Sequence, residues 1–135
     1  MNNLNLSLID GRLVRDPELR STSTGTEICT FALAVNRYYR KNDEWSEEAS
    51  FFDVETWGSL AKAISENCSK GRRVRVTGRL KQSRWNDDQG KSHSRIYIVA
   101  ERVEFFPVAK TEDEKELPPA YETDDPQDYD QYNQF

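Results

Sequence analysis

The stretch from Arg72 to Trp85 alternates with a period of two, and this limits the fold more than any other feature of the sequence. Val74, Val76, Gly78 and Leu80 fall on one face; Arg73, Arg75, Thr77, Arg79, Lys81, Ser83 and Trp85 fall on the other. Successive side chains of a strand point to opposite sides. The pattern therefore predicts one long β-strand with an apolar face toward a core and a basic face outward. Gly78, at its middle, suits a sharp bend.

The segments around it read as shorter strands and one helix. Leu4, Leu6 and Leu8 alternate with Asn5 and Ser7, and this first strand continues irregularly to Val14 before Asp16-Pro17 breaks it. Ser21–Gly25 reads as loop. Ile28 to Asn36 is a second strand, with Cys29, Phe31, Leu33 and Val35 on one face. Arg37 to Glu48 is polar and charged and reads as a long hairpin loop. Phe51 to Trp57 is a third strand. Ser59 is placed to cap a helix running to about Ser69, with Leu60, Ala61, Ile64 and Cys68 as its apolar stripe and Gly71 as its stop. After the long fourth strand, Asn86–Gly90 is a turn and Ser94 to Phe106 a fifth strand. The order β-β-β-α-β-β predicts an all-β OB-fold, a five-stranded Greek-key barrel with one helix between strands 3 and 4. Pattern alone leaves a mixed α+β sheet open.

Charge divides the chain in two. Residues 1–107 carry 17 Lys+Arg against 15 Asp+Glu, whereas residues 108–135 carry 2 against 9. The later segment has no glycine and few apolar residues, too little to offset the entropy of ordering it. An OB-fold domain over residues 1–107 and a disordered acidic C-terminal tail over residues 108–135 are therefore expected. The overall net charge of −5 does not exclude nucleic acid, because binding depends on where the positive charge lies. No apolar run is long enough to span a bilayer. Met1–Ser7 lacks a basic segment followed by an apolar one, which points to the cytoplasm. Cys29 and Cys68 read as buried core thiols; with His93 alone beside them they make neither a disulfide framework nor a metal set.

Binding a flexible nucleic-acid strand takes cations for the phosphates and flat rings for the bases. The outer face of the fourth strand offers Arg73, Arg75, Arg79 and Lys81, no carboxylate, and Trp85 at its end. A plain solvated face seldom needs that bias, so nucleic-acid contact is the reading favoured here. The third strand places Phe51 and Trp57 on one face with Asp53 and Glu55. Those rings either stack on bases or cover the helix or a subunit contact, and the pattern does not choose between the two. For phosphate to approach, Asp53 and Glu55 must point away or pair with cations of neighbouring strands. In the long loop, Arg37, Tyr38, Tyr39, Arg40, Lys41 and Trp45 interleave rings with cations, a mixture suited to binding. Asp87-Asp88 reads as turn chemistry rather than a metal site. No nucleophile with a base partner, phosphate loop or deaminase zinc pattern is present, so neither an enzyme nor a cofactor is expected.

In series, Gly11-Arg12-Leu13 with Asp16-Pro17-Glu18, Phe31-Ala32-Leu33-Ala34, Trp57-Gly58 then Leu60-Ala61, Lys70-Gly71 then Val74, Val76-Thr77-Gly78-Arg79-Leu80 and Arg84-Trp85 resemble the bacterial single-stranded DNA-binding protein (SSB) family. The resemblance runs from about Leu4 to Phe106. It implies sequence-independent binding and protection of single-stranded DNA in replication, recombination and repair. It implies stacking by Tyr39, Phe51, Trp57 and Trp85, and Arg37, Arg40, Arg73, Arg75, Arg79, Lys81 and Arg84 are the phosphate-contacting residues expected beside them. It also implies a cytoplasmic, nucleoid-associated homotetramer, with the Leu4–Leu8 strand and Phe52 as interface candidates. Finally, it implies docking of replication and repair proteins on the tail, through Asp124, Asp125, Asp128, Asp130 and Phe135. Gln134 stands where the family usually has proline, and Asn133 where an aliphatic residue often sits. Two rival readings are a structural adaptor, in which the barrel is mainly a protein hub, and an RNA-binding OB module.

Overall fold

The computed structural model describes residues 1–108. It contains β1 (Ser7–Leu13), β2 (Glu18–Ser21), β3 (Glu27–Lys41), β4 (Glu44–Trp57), α1 (Ser59–Asn67), β5 (Arg73–Asn86) and β6 (Ser92–Phe105). The strands lie in the order β1-β5-β6-β4-β3-β2, and β1 also pairs with β3 through Arg12↔Ala34 and Leu13↔Leu33. That extra pairing closes five strands into the expected barrel, with the helix between β4 and β5. The acidic tail expected from the sequence lies, from residue 109 onward, outside the described residues. Among the described residues no helix is long and apolar enough to cross a membrane.

Three local expectations are corrected. A short strand, β2, follows Asp16-Pro17 and pairs with the start of β3, Leu19 opposite Cys29. All four of its residues are exposed, so no apolar alternation marked it. The span read as a loop from Arg37 to Glu48 is mostly strand, because β3 and β4 run on to a two-residue turn at Asn42-Asp43. Both turn residues have positive φ, 52° and 63°, as a tight twisted hairpin requires and as Asn and Asp tolerate. Ser59 is not the helix cap. Gly58 takes that place with φ 65°, and no side chain caps the first turn.

The described chain forms two compact units. One is Met1–Val35 with Phe51–Phe106; the other contains the distal hairpin, Asn36–Ser50. The core of the first unit takes Cys29, Phe31 and Leu33 of β3, Ala61 and Ile64 of α1 and Val74 and Val76 of β5 from the faces that the sequence pattern predicted, and adds Val54 of β4 with Ile98 and Ala100 of β6. Leu80 departs from expectation. It shares the parity of Val74 and Val76 but lies half exposed, since β5 continues past the end of the core. Thr56 is fully buried and is satisfied by donating its hydroxyl to the Cys29 carbonyl at 2.9 Å.

Burial pushes the Cys29 thiol from 9.0 up to about 11, Cys68 adds to that rise, and a hydrogen bond from Thr56 opposes it. The Cys68 thiol is raised as well, chiefly by burial. The folded state thus holds these protons more tightly than the unfolded chain. This contribution to stability is complete below the ordinary thiol value of 9.0 and is lost as pH rises through about 11. Native protein is expected to leave both thiols unmodified by iodoacetamide near neutral pH and to expose both together on unfolding in urea. Mass spectrometry of quenched time points checks this. Rapid alkylation of either cysteine in the native state would contradict it.

Candidate nucleic-acid interface

The outer face of β5 is not one uniform basic stripe. Its neighbours, β1 and β6, decide what each cation does. Near the start of the strand, Arg73 and Arg75 flank Asp10 of β1 at 3.5 and 3.8 Å, and Arg75 reaches Glu104 of β6 at 3.8 Å. Both guanidiniums also lie over the Phe106 ring, 4.5 and 5.3 Å from its centroid. The Arg73 side chain is only 13% exposed. These two arginines therefore belong to a partly buried ion-pair and cation–π network between strands.

Beyond Thr77 the surroundings change. The β5–β6 register shifts between Thr77 and Gly78, so that Thr77 faces Arg102 and Gly78 faces Ala100, leaving Glu101 as an extra residue in β6. Above this bulge Arg79 lies opposite Val99, Lys81 opposite Tyr97, Ser83 opposite Arg95 and Trp85 opposite His93. Arg79 and Lys81 line a cleft of about 460 Å³ together with Trp57 and Leu60, and Val99, Ala100 and Glu101 of β6 complete its wall. The two cations and the ring that sequence assigned to separate strands thus border one cleft. Glu101 approaches Arg79 at 3.5 Å, while among the described residues no carboxylate pairs with Lys81.

The rings are accessible. Phe51 is 65% exposed, Trp57 43% and Trp85 48%. On β4, Val54 and Thr56 point inward, and Asp53, Glu55 and Trp57 point outward. Both carboxylates have partners. Asp53 meets Arg95 at 3.4 Å, and Glu55 accepts a 2.6 Å hydrogen bond from the Trp57 Nε1–H. The second contact ties the indole edge to its own strand and leaves the ring faces for other uses. Arg84 alternates away from the Lys81–Trp85 side and donates to Gln82 at 3.0 Å. Within the hairpin unit, Arg37 lies over the Tyr39 ring at 5.2 Å and meets Glu48 at 3.5 Å, and Arg40 approaches Asp43 at 3.7 Å.

Residues of β6 were missed by sequence reasoning. Arg95 lies over the Tyr97 ring at 5.2 Å, and both share the outward parity that faces Lys81 and Ser83. His93 stacks on Trp85. The signal was available in the alternation His93, Arg95, Tyr97, once a tight turn at Asp87–Gly90 sets that strand against β5. The tail residues Asp124, Asp125, Asp128, Asp130 and Phe135 lie outside the described residues.

A closed five-strand barrel with a single helix, bearing rings and cations on the outer faces of β4, β5 and β6, defines a binding module of the OB type. Similarity to known proteins narrows this further. The single-strand binding protein family model matches residues 4–106, and the chain belongs to that family. It is 42% identical to a single-stranded DNA-binding protein of Treponema pallidum over 106 residues, covering 78% of this chain and 60% of that protein. It is 40% identical to the single-stranded DNA-binding protein of Aquifex aeolicus over 125 residues, covering 88% of this chain and 84% of that one. A solved structure, Plasmodium falciparum SSB in complex with ssDNA, shares the fold with a TM-score of 0.73 at 22% identity, over 79% of this chain and 98% of the other.

Proposed function

We propose that this protein binds single-stranded DNA without sequence preference, and coats and protects it during replication, recombination and repair. The observation that carries this reading is the cleft in which Trp57 sits with Arg79 and Lys81, on the same face of the β5–β6 hairpin that bears Trp85. Rings stack on any base and cations follow any phosphate, so the pairing needs no base-specific hydrogen bonds. Phe51 adds a third stacking surface, and Tyr39 with Arg37 and Arg40 offers the same chemistry on the hairpin unit. The protein acts passively: it performs no catalysis and uses no cofactor. It works as a homotetramer in the cytoplasm at the nucleoid. Its acidic tail, from residue 108 onward, presents Asp124, Asp125, Asp128, Asp130 and Phe135 to partner enzymes, and its charge suits basic pockets.

Among the cations, Arg79 and Lys81 make the principal phosphate contacts. Arg73 and Arg75 act mainly in the inter-strand network and add a general positive field, and Arg84 approaches from the opposite face. Fluorescence titration with oligo-dT at several salt concentrations tests this. Affinity is expected to fall with salt, and Arg79→Gln and Lys81→Gln should each reduce the slope of log K against log salt by about 0.7. Arg75→Gln should leave that slope nearly unchanged. Binding with no salt dependence, or equal affinity for duplex, would overturn the proposal. Tighter binding of a matched RNA oligomer would favour an RNA-binding module instead.

A further inference from the structure

The tip of the β5–β6 hairpin contains a chain of contacts that single-strand binding alone does not call for. Asp87 Oδ1 accepts the backbone N–H groups of Gln89 and Lys91, at 2.9 and 2.8 Å. Its Oδ2 lies 2.8 Å from His93 Nε2. The His93 hydrogen bond, then that from Lys91, holds the Asp87 carboxyl below its ordinary range, so it stays ionised and acts as a fixed acceptor. The imidazole in turn stacks on the Trp85 indole, with centroids 5.7 Å apart and planes 21° from parallel. His93 and Trp85 are direct partners in the ladder, so the backbone register sets the two rings side by side. The turn thus fixes a carboxylate, the carboxylate fixes an imidazole, and the imidazole backs an indole.

We infer that His93 and Asp87 are positioning residues for Trp85, holding the indole plane so that its free face is ready to receive a base. The inference rests on the single-strand-binding reading above. An indole held only by its own torsions must be ordered each time DNA binds; one already backed by a second ring has lost most of that freedom beforehand. Neither residue needs to touch DNA for this effect.

The test uses the full chain. His93→Ala is expected to weaken oligo-dT binding about two- to tenfold, the range set by immobilising one side chain. His93→Phe, which keeps a flat ring, should restore most of the loss. In a Trp85→Ala background, His93→Ala should cost nothing further, because its effect runs through the missing indole. Independently of DNA, protein carrying Trp45→Phe and Trp57→Phe leaves Trp85 as the sole tryptophan of the 3, and excitation at the red edge of the absorption, where tyrosine does not absorb, selects it. Its fluorescence anisotropy should fall on His93→Ala and recover with His93→Phe, while circular dichroism shows the barrel intact. An equal loss of affinity with and without Trp85, or unchanged anisotropy, would overturn the inference. Failure of the unmutated protein to bind oligo-dT would instead reject the functional reading, with the anisotropy result still deciding whether the indole is held.

Discussion

Protein carrying both Trp57→Ala and Trp85→Ala is expected to lose between about thirtyfold and about twenty-thousandfold in affinity for oligo-dT. Each base–aromatic stack contributes roughly 1–3 kcal/mol, and 1.4 kcal/mol is a factor of ten, so two stacks span that range. The two rings should not add fully. They lie along one face, and a strand that loses one support can shift onto the other. Each single substitution should therefore retain binding, with the double substitution falling below the product of the singles only if both rings hold the same run of nucleotides. Neither ring belongs to the buried core, and both are accessible, so the fold should survive. Because the substitutions remove the two tryptophans on this face, the measurement is anisotropy of a fluorescently labelled oligo-dT, with circular dichroism as the control for folding. A loss smaller than threefold in the double variant would show that bases do not stack on this face.

Gly78→Ala is expected to destabilise the barrel by about 3 kcal/mol or more, at the upper end of what overpacking costs. A methyl group at this position would come within 2.2 Å of the Val99 carbonyl oxygen and 3.0 Å of the Ala100 Cα. Those atoms are backbone, held by the β5–β6 ladder, and they cannot swing aside as a side-chain tip would. Gly11→Ala meets the same obstruction, since a methyl group there would come within 2.4 Å of the Ala34 carbonyl oxygen where β1 meets β3. Gly25 supplies the contrast. It has a positive φ of 87° but open space around it, so Gly25→Ala should cost only about 1–2 kcal/mol of backbone strain. Urea denaturation of the three variants checks the order, and a Gly78→Ala protein within 1 kcal/mol of the parent would refute the account.

The core was legible because alternation reports burial directly. Val74 and Val76, placed inward by parity, are fully buried. Parity reports only which face a residue occupies, however, and says nothing of how far the core extends along the strand. Leu80 was therefore placed inside although β5 outruns the barrel there. The strand extensions toward Asn42-Asp43 were hidden for the same reason: they have little core to face, so their sequence alternates weakly and resembles a polar loop. The fate of the arginines was hidden differently. The carboxylates that meet Arg73 and Arg75 come from β1 and β6, far away in sequence, and only the register brings Asp10 and Glu104 beside them. The resemblance to a known family singled out Phe51 and Trp57 where the pattern left two readings. It gave no hint of His93 or Arg95, whose significance depends on the neighbours that pairing gives them.

The bulge at Glu101 also sets the phase of β6. Below it the even-numbered residues, Arg102 and Glu104, meet the outward side of β5; above it the odd-numbered ones, Val99, Tyr97, Arg95 and His93, do so. One strand can thereby serve as a salt-linked wall at one end and a ring-bearing wall at the other. Deleting Glu101 itself would leave every pair in place and remove only the kink and the carboxylate beside Arg79. Deleting a paired residue just above it, such as Val99, would instead exchange the two sides of everything beyond, turning Ile98 and Ile96 toward the cleft and carrying Tyr97 and Arg95 to its back. The length of this hairpin is therefore as much a determinant of its chemistry as the residues it displays.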